Sequence, residues 1–297
     1  MPLNNRVVLY LKDIQEQAKT KIADFRVYDL ASRSLNRLTS RQYFELTENI
    51  AYGQAERQQL DLYRSVKPRT GQPLIVFVHG GTWSHGDKRD YLFLAESFAK
   101  EGFDVAIINY RLAPEHIFPS YIDDLVLAIN YLDQQQASLN ISTENLVLMG
   151  HSAGGFNVMS ALYHPHANQL QCKGKVKAIV GLAGPYHFDY LGDIYLEQAF
   201  NPQVSYQQVM PYYFVETNQV EHILILAEKD RLVANSNTLD MHQKLLDVGN
   251  KSQIYTIPKT GHISLIGSVS GFFSPYFRTK QVILAQLDQI FVPSTAA

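Results

Sequence analysis

Cysteine is almost missing from this chain. Cys172 is the single one, so no internal disulfide can form and the fold must rest on its apolar core. One free thiol fits a reducing compartment, and a cytoplasmic location is the expectation. Long hydrophobic runs are missing too. The stretch from Val7 to Leu11 is cut short by Lys12 and Asp13, too soon for a secretion signal. Nothing approaches the ~18 apolar residues of a membrane span. Neither sign of charge dominates: the formal charge is −2, which gives no electrostatic footprint for nucleic acid and no acidic tail. What is present is apolar residue in quantity, 46% against 18% charged, enough for a large core in 297 residues.

Organisation changes near residue 48. Residues 1–48 are polar, with a helix-prone stretch from Leu11 to Phe25, and form a separate N-terminal helical segment that could join a cap. From Ile50 onward, short apolar runs alternate with helical patterns. Ile50–Tyr52 and Gln59–Tyr63 read as a hairpin. Leu74–Val78 is continuously apolar, as suits a strand covered on both faces. Val105–Tyr110, Leu146–Met149, Lys177–Leu182, His222–Ala227 and Gln253–Ile257 complete eight strands. Between them, Arg89–Lys100, Ser120–Leu132, Phe156–Tyr163, Asn235–Val248 and Thr279–Ile290 carry apolar residues at helical spacing. Such alternation implies an α/β domain over 49–297, with a mostly parallel sheet flanked by helices. The stretch 185–220 fits no strand–helix unit. It is rich in Tyr and Phe and reads as a small cap insertion.

Gly150-His151-Ser152-Ala153-Gly154 has the G-x-S-x-G spacing of a nucleophile elbow, with an apolar strand before it and a helix after it. A serine on so tight a turn takes a strained backbone, and the flanking glycines let neighbouring segments pass close. The pentapeptide alone recurs by chance in roughly one chain in ten of this length, so its context carries the weight. His79-Gly80-Gly81-Thr82-Trp83 follows a buried strand directly. Two glycines there can aim N–H groups at an oxyanion, which makes Gly80 and Gly81, with the amide of Ala153, the candidate donors. A plain glycine turn is the alternative. His79 reads as a brace for the loop.

A serine nucleophile needs a base, and the base needs an orienting acid. The strand His222–Ala227 runs into Glu228-Lys229-Asp230, and Gln253–Ile257 runs into Pro258 through His262. Both ends lie at the same edge of a parallel sheet as the elbow. This selects Ser152, Asp230 and His262 as the catalytic set, with Glu228 as the alternative acid and Asp193, inside the insertion, a weaker one. His222 and His242 read as structural. His164-Pro165-His166 reads as a polar helix end, and no metal is expected. Gly267 to Gly271 has the wrong spacing for an elbow and reads as a flexible loop. Trp83, His151, Tyr186 and Phe188 are candidate substrate contacts. The cap rings Tyr190, Tyr195, Phe200, Tyr206, Tyr212, Tyr213 and Phe214 either line a pocket or pack the cap onto the body.

With these residues in view, the chain resembles esterases of the α/β-hydrolase fold. The stretches that carry the resemblance are His79 to Trp83, Asn109-Tyr110-Arg111-Leu112-Ala113-Pro114-Glu115-His116, Phe118-Pro119 through Asp124, and Gly150 to Gly155. Hormone-sensitive-lipase-like esterases have a third glycine where Thr82 stands. Thr82 followed by Trp83 is more similar to kynurenine formamidases and related carboxylesterases. The resemblance implies a cofactor-free serine hydrolase acting on a small-molecule ester of small to medium acyl chain, or on the formamide of N-formylkynurenine. A hydrolase-fold binding protein without activity is the remaining reading. It also implies that Tyr110, Arg111, Glu115 and Asp124 hold the core beside the site.

Overall fold

The computed structural model describes residues 32–291. The helix-prone stretch from Leu11 to Phe25 lies outside the described residues. Eight strands form one sheet: β1 (Phe44–Ala51), β2 (Gln59–Ser65), β3 (Leu74–Val78), β4 (Asp104–Ile108), β5 (Leu146–His151), β6 (Val176–Leu182), β7 (Glu221–Ala227) and β8 (Ser252–Ile257). Their order across the sheet is β1-β2-β4-β3-β5-β6-β7-β8. The β1–β2 and β2–β4 pairs are antiparallel, and every later pair is parallel.

The helices that flank the sheet are α1 (Leu92–Ala99), α2 (Ser120–Gln134), α3 (Ala153–Tyr163), α4 (Ser236–Asp247), α5 (His262–Gly267) and α6 (Thr279–Phe291). They divide between the two sheet faces. In β3, Leu74, Val76 and Val78 join the apolar layer under α2, α3 and α4. Ile75 and Phe77 point the other way, into the layer under α1, α5 and α6. Alternate residues of one strand therefore feed two cores, which is why β3 carries no polar position.

Two expectations shift. The boundary after residue 48 falls inside β1, which begins at Phe44. An edge strand buries little, and Glu45, Glu48 and Asn49 are exposed, so the apolar alternation that would mark its start is faint. The segment from Gly267 to Gly271 is packed rather than a loose loop. Ser268, Val269 and Ser270 are buried. Ser268 Oγ donates to Leu265 O, and Ser97 Oγ donates to Val269 O. The unforeseen helix α5 supplies the scaffold that buries them.

Between β6 and β7 the chain has no strand and only short 3₁₀ turns, at Tyr206–Gln208 and Pro211–Phe214. Its rings are largely packing. Tyr186, Tyr190 and Phe200 are fully buried. Phe200 meets Trp83 edge-on at 4.7 Å and stacks on Tyr190 at 4.8 Å. His187 ties this segment to α4, with Nδ1 2.7 Å from Asp240 Oδ2.

Candidate active site

β5 ends at His151, and α3 starts at Ala153, so Ser152 alone makes the turn. Its φ of 54° and ψ of −124° lie where residues with a side chain are strained. The surroundings over-determine that conformation. Ser152 N–H donates to Leu182 O at the end of β6, and Ser152 O accepts from Gly155 N–H. A methyl on Gly154 would lie 2.0 Å from Val78 O, and one on Gly150 2.1 Å from Gly154 O. Strand β3 thus passes so close to the elbow that only glycine fits.

The loop after β3 lies against the same turn. A methyl on Gly80 would stand 3.0 Å from Ser152 Cβ. Gly81 takes φ 125°, and Thr82 and Trp83 follow at 50° and 57°. This run of left-handed residues folds the loop back, with Ser84 and His85 N–H donating to Gly81 O. The N–H groups of Gly80, Gly81 and Ala153 take no part in the turn and loop hydrogen bonds of the described residues. His79 braces the loop: Nδ1–H donates to Gly80 O at 2.7 Å, and its ring stacks on Tyr110 at 4.5 Å. Burial holds its imidazole neutral, with the pKa pushed down to about 4.

Beyond β7 and β8, Asp230 and His262 meet. His262 Nδ1–H donates to Asp230 Oδ2 at 2.7 Å, and the two side chains are 8% and 1% exposed. The other carboxylate oxygen accepts from the N–H groups of Leu232 and Val233, both at 2.9 Å. Burial works against this carboxylate, yet the hydrogen bond and charge of His262 and the two main-chain donors outweigh it and hold its pKa below the usual range. Glu228 faces elsewhere, accepting from Lys259 N–H at 2.7 Å, and Asp193 accepts from Tyr195 N–H within the insertion. Neither reaches the imidazole. His262 is joined to the elbow through His151, whose Nε2 lies 3.0 Å from His262 O. Among the described residues no hydrogen bond links the Ser152 hydroxyl directly to the His262 ring, as is common in unliganded sites that tighten around substrate.

The expected substrate contacts divide. Trp83 is 1% exposed, enclosed by Tyr121, Phe156 and Phe200, with Nε1–H donating to Asn157 Oδ1 at 2.9 Å. It is core, not pocket wall. Tyr186 is also fully buried, because its ring fills the space that Gly181 and Gly184 leave empty. His151 is 3% exposed and faces protein. Phe188 alone of the four is partly exposed. Asn157 was missed; a lone amide in an otherwise apolar helix is the signal that points to it. Arg111 and Asp124 form the internal brace expected of them, at 2.8 Å with the carboxylate fully buried. Three further histidines are tied into structure: His164 to Gln208 O, His222 to Tyr163 and Lys251 O, and His242 to Ser252.

A serine on a strained turn, an imidazole–carboxylate pair at the same sheet edge and a glycine loop against the serine form a constellation able to support acyl transfer. Comparisons with known proteins bear on the family and the fold. The family model BD-FAE matches residues 60–245. The chain is 28% identical over 174 residues to a kynurenine formamidase of Drosophila melanogaster, covering 56% of each. It is 26% identical over 248 residues to esterase LipC of Mycobacterium tuberculosis, covering 75% of this chain and 59% of that one. With a probable isoprenylcysteine alpha-carbonyl methylesterase of Oryza sativa subsp. japonica it shares 28% over 160 residues, 52% of this chain and 39% of the other. The chain thus spans between 39% and 59% of the length of these three relatives. Among solved structures it is similar to esterase LipW from Mycobacterium marinum (TM-score 0.73, 18% identity, 93% of this chain and 91% of that one). It is also similar to a bacterial heroin esterase (TM-score 0.72, 19% identity, 89% and 90%). These likenesses establish the α/β-hydrolase fold.

Proposed function

Because the chain belongs to the BD-FAE family, we propose that it is a serine hydrolase that cleaves carboxylic esters of small to medium acyl chain through an acyl-enzyme intermediate. The observation that carries the proposal is the 2.7 Å pair of His262 and Asp230, tied through His151 to the elbow that bears Ser152.

In this reading Ser152 Oγ attacks the ester carbonyl carbon while its proton passes to His262 Nε2. Asp230 stabilises the imidazolium that forms. The carbonyl oxygen becomes an oxyanion held by the N–H groups of Gly80, Gly81 and Ala153, each worth about 10²–10³ in kcat. Collapse breaks the bond to the alcohol oxygen, which leaves with the proton from His262. Water then gives a proton to the same imidazole, attacks the acyl-serine and releases the acid. Hydrolysis of p-nitrophenyl acetate by the parent and by Ser152→Ala tests this. Ser152→Ala should lose nearly all activity, and an unchanged rate refutes the proposal.

A second reading is hydrolysis of N-formylkynurenine by the same residues, with an aromatic amine as leaving group. The likeness to the Drosophila melanogaster formamidase favours it. The ratio of kcat/KM on N-formylkynurenine to that on short-chain aryl esters separates the two. A far smaller value on the formamide dismisses the second.

A further inference from the structure

His151 is the last residue of strand β5, next to the nucleophile, where it is 3% exposed and enclosed by protein. A residue chosen only to fill that space would be apolar, because a buried imidazole carries two nitrogens to satisfy. One nitrogen here has no partner: His151 Nδ1 is buried without a hydrogen bond, on the side where a methyl on Gly80 would lie 3.2 Å from it. Leaving an acceptor bare is a cost, so the other nitrogen is where an advantage must lie. That nitrogen spans 111 positions of sequence to reach the main-chain oxygen of His262 at 3.0 Å. A carbonyl oxygen only accepts, so Nε2 carries the proton.

We propose that His151 is a positioning residue, whose Nε2–H anchors the main chain of His262 so that the imidazole stays aimed at Ser152. The proposal rests on the reading of Ser152 and His262 as nucleophile and base. Asp230 grips His262 through Nδ1 alone, and an imidazole held at one atom can still pivot about that contact. The bond from His151 holds His262 at its carbonyl, and the two rings lie 4.8 Å apart with 42° between their planes. His262 is also the first residue of α5, so the same bond fixes where that helix begins. Elbow and base are thereby joined without a shared strand. Burial, helped by the neighbouring His262, pushes the His151 pKa down to about 3, so it adds no second cation beside the imidazolium.

Two substitutions in the full chain test this. His151→Leu keeps bulk and removes the donor. His151→Gln keeps an N–H within reach of the same carbonyl. Two readouts apply: kcat and KM on p-nitrophenyl acetate, and the downfield proton resonance of His262 Nδ1–H, assigned by its loss in Asp230→Asn. In His151→Leu, kcat should fall about 10- to 100-fold, the penalty for misplacing a reacting group by about 1 Å. KM should stay within about twofold, because ground-state binding is untouched. The resonance should broaden or vanish. His151→Gln should restore both. A His151→Leu protein with parental kcat and resonance overturns the proposal. So does a His151→Gln protein that keeps the parental Tm but loses both. If His151→Leu does not fold, the Gln variant decides in the same terms. A parent that shows the resonance but cleaves no ester refutes the esterase reading, while the resonance in the variants still decides the positioning role.

Discussion

Replacing Asp230 with Asn should nearly abolish turnover while leaving the fold intact. The carboxylate is held at both oxygens: Oδ1 by the N–H groups of Leu232 and Val233, Oδ2 by His262 Nδ1. An asparagine must keep its oxygen on the two main-chain donors, so its NH₂ group faces His262. The imidazole must then present a bare Nδ1 and carry its proton on Nε2, the atom required to take the proton of Ser152. The negative charge is lost as well. Taking about 4 Å between the charge centres and an effective dielectric constant near 20, that charge is worth about 4 kcal/mol to the imidazolium of the transition state. This corresponds to about 10³ in rate. In serine proteases the tautomer error brings the same substitution to about 10⁴. The expected loss in kcat therefore lies between about 10³ and 10⁴, read on p-nitrophenyl acetate with Tm as the folding control. Glu228→Gln, whose carboxylate binds Lys259 N–H instead, should stay near parental activity. An Asp230→Asn enzyme within about tenfold of the parent, or a larger loss from Glu228→Gln, would refute the reasoning.

Other consequences concern stability. Gly154→Ala puts a methyl 2.0 Å from Val78 O, so strand or elbow must move; the overpacking penalty should reach or exceed about 1–3 kcal/mol, read as a lower denaturant midpoint, and an unchanged midpoint contradicts it. Trp83→Ala empties the ring cluster it fills with Phe200, Phe156 and Tyr121 and strands Asn157, with an expected loss of about 3–5 kcal/mol in the same assay. Were Trp83 a pocket wall, the loss would fall on KM instead. Acid should weaken the fold early: His79, His151 and His222 have native pKa values pushed by burial to about 4, 3 and 4, below about 6.5 for unfolded imidazole. As pH falls from about 6.5 toward 4, the unfolded chain takes up as many as three protons the native one refuses. Stability should then drop by up to about 4 kcal/mol per pH unit. A urea midpoint that is flat between about pH 7 and pH 5 would contradict this.

Much of the body was legible because a sheet covered on both faces writes itself as unbroken apolar runs. Leu74–Val78 is read from sequence with the bounds that the structure has. Helices α2 and α6 carry strong periodic stripes and were bounded within two residues. The meeting of a carboxylate after β7 with His262 was legible in the strand order, because parallel strands deliver their ends to one edge, but the choice of Asp230 over Glu228 lies in the loop geometry. Polar edges were harder. Past the buried Phe44, β1 turns Glu45, Thr47, Glu48 and Asn49 to solvent, and α5 is only six residues long, too short to show a period. Aromatic residues were the main source of error. A ring has the same letter whether it lines a cavity or plugs one, and Trp83 and Tyr186 turn out to plug. Only the glycines opposite Tyr186, at 181 and 184, hint that the space was reserved for it. His151 misled similarly, since the bond that defines it depends on a loop 111 residues away.

Labelling with a fluorophosphonate addresses the central claim most directly, because the probe reacts with a serine whose proton can be taken, at a site that can hold the probe's phosphoryl oxygen. Peptide mass mapping of the folded parent should find the adduct on Ser152, with ester hydrolysis falling in proportion to labelling, and Ser152→Ala should take up none. A folded parent that resists the probe, or carries it on another residue while hydrolysis continues, would contradict the account.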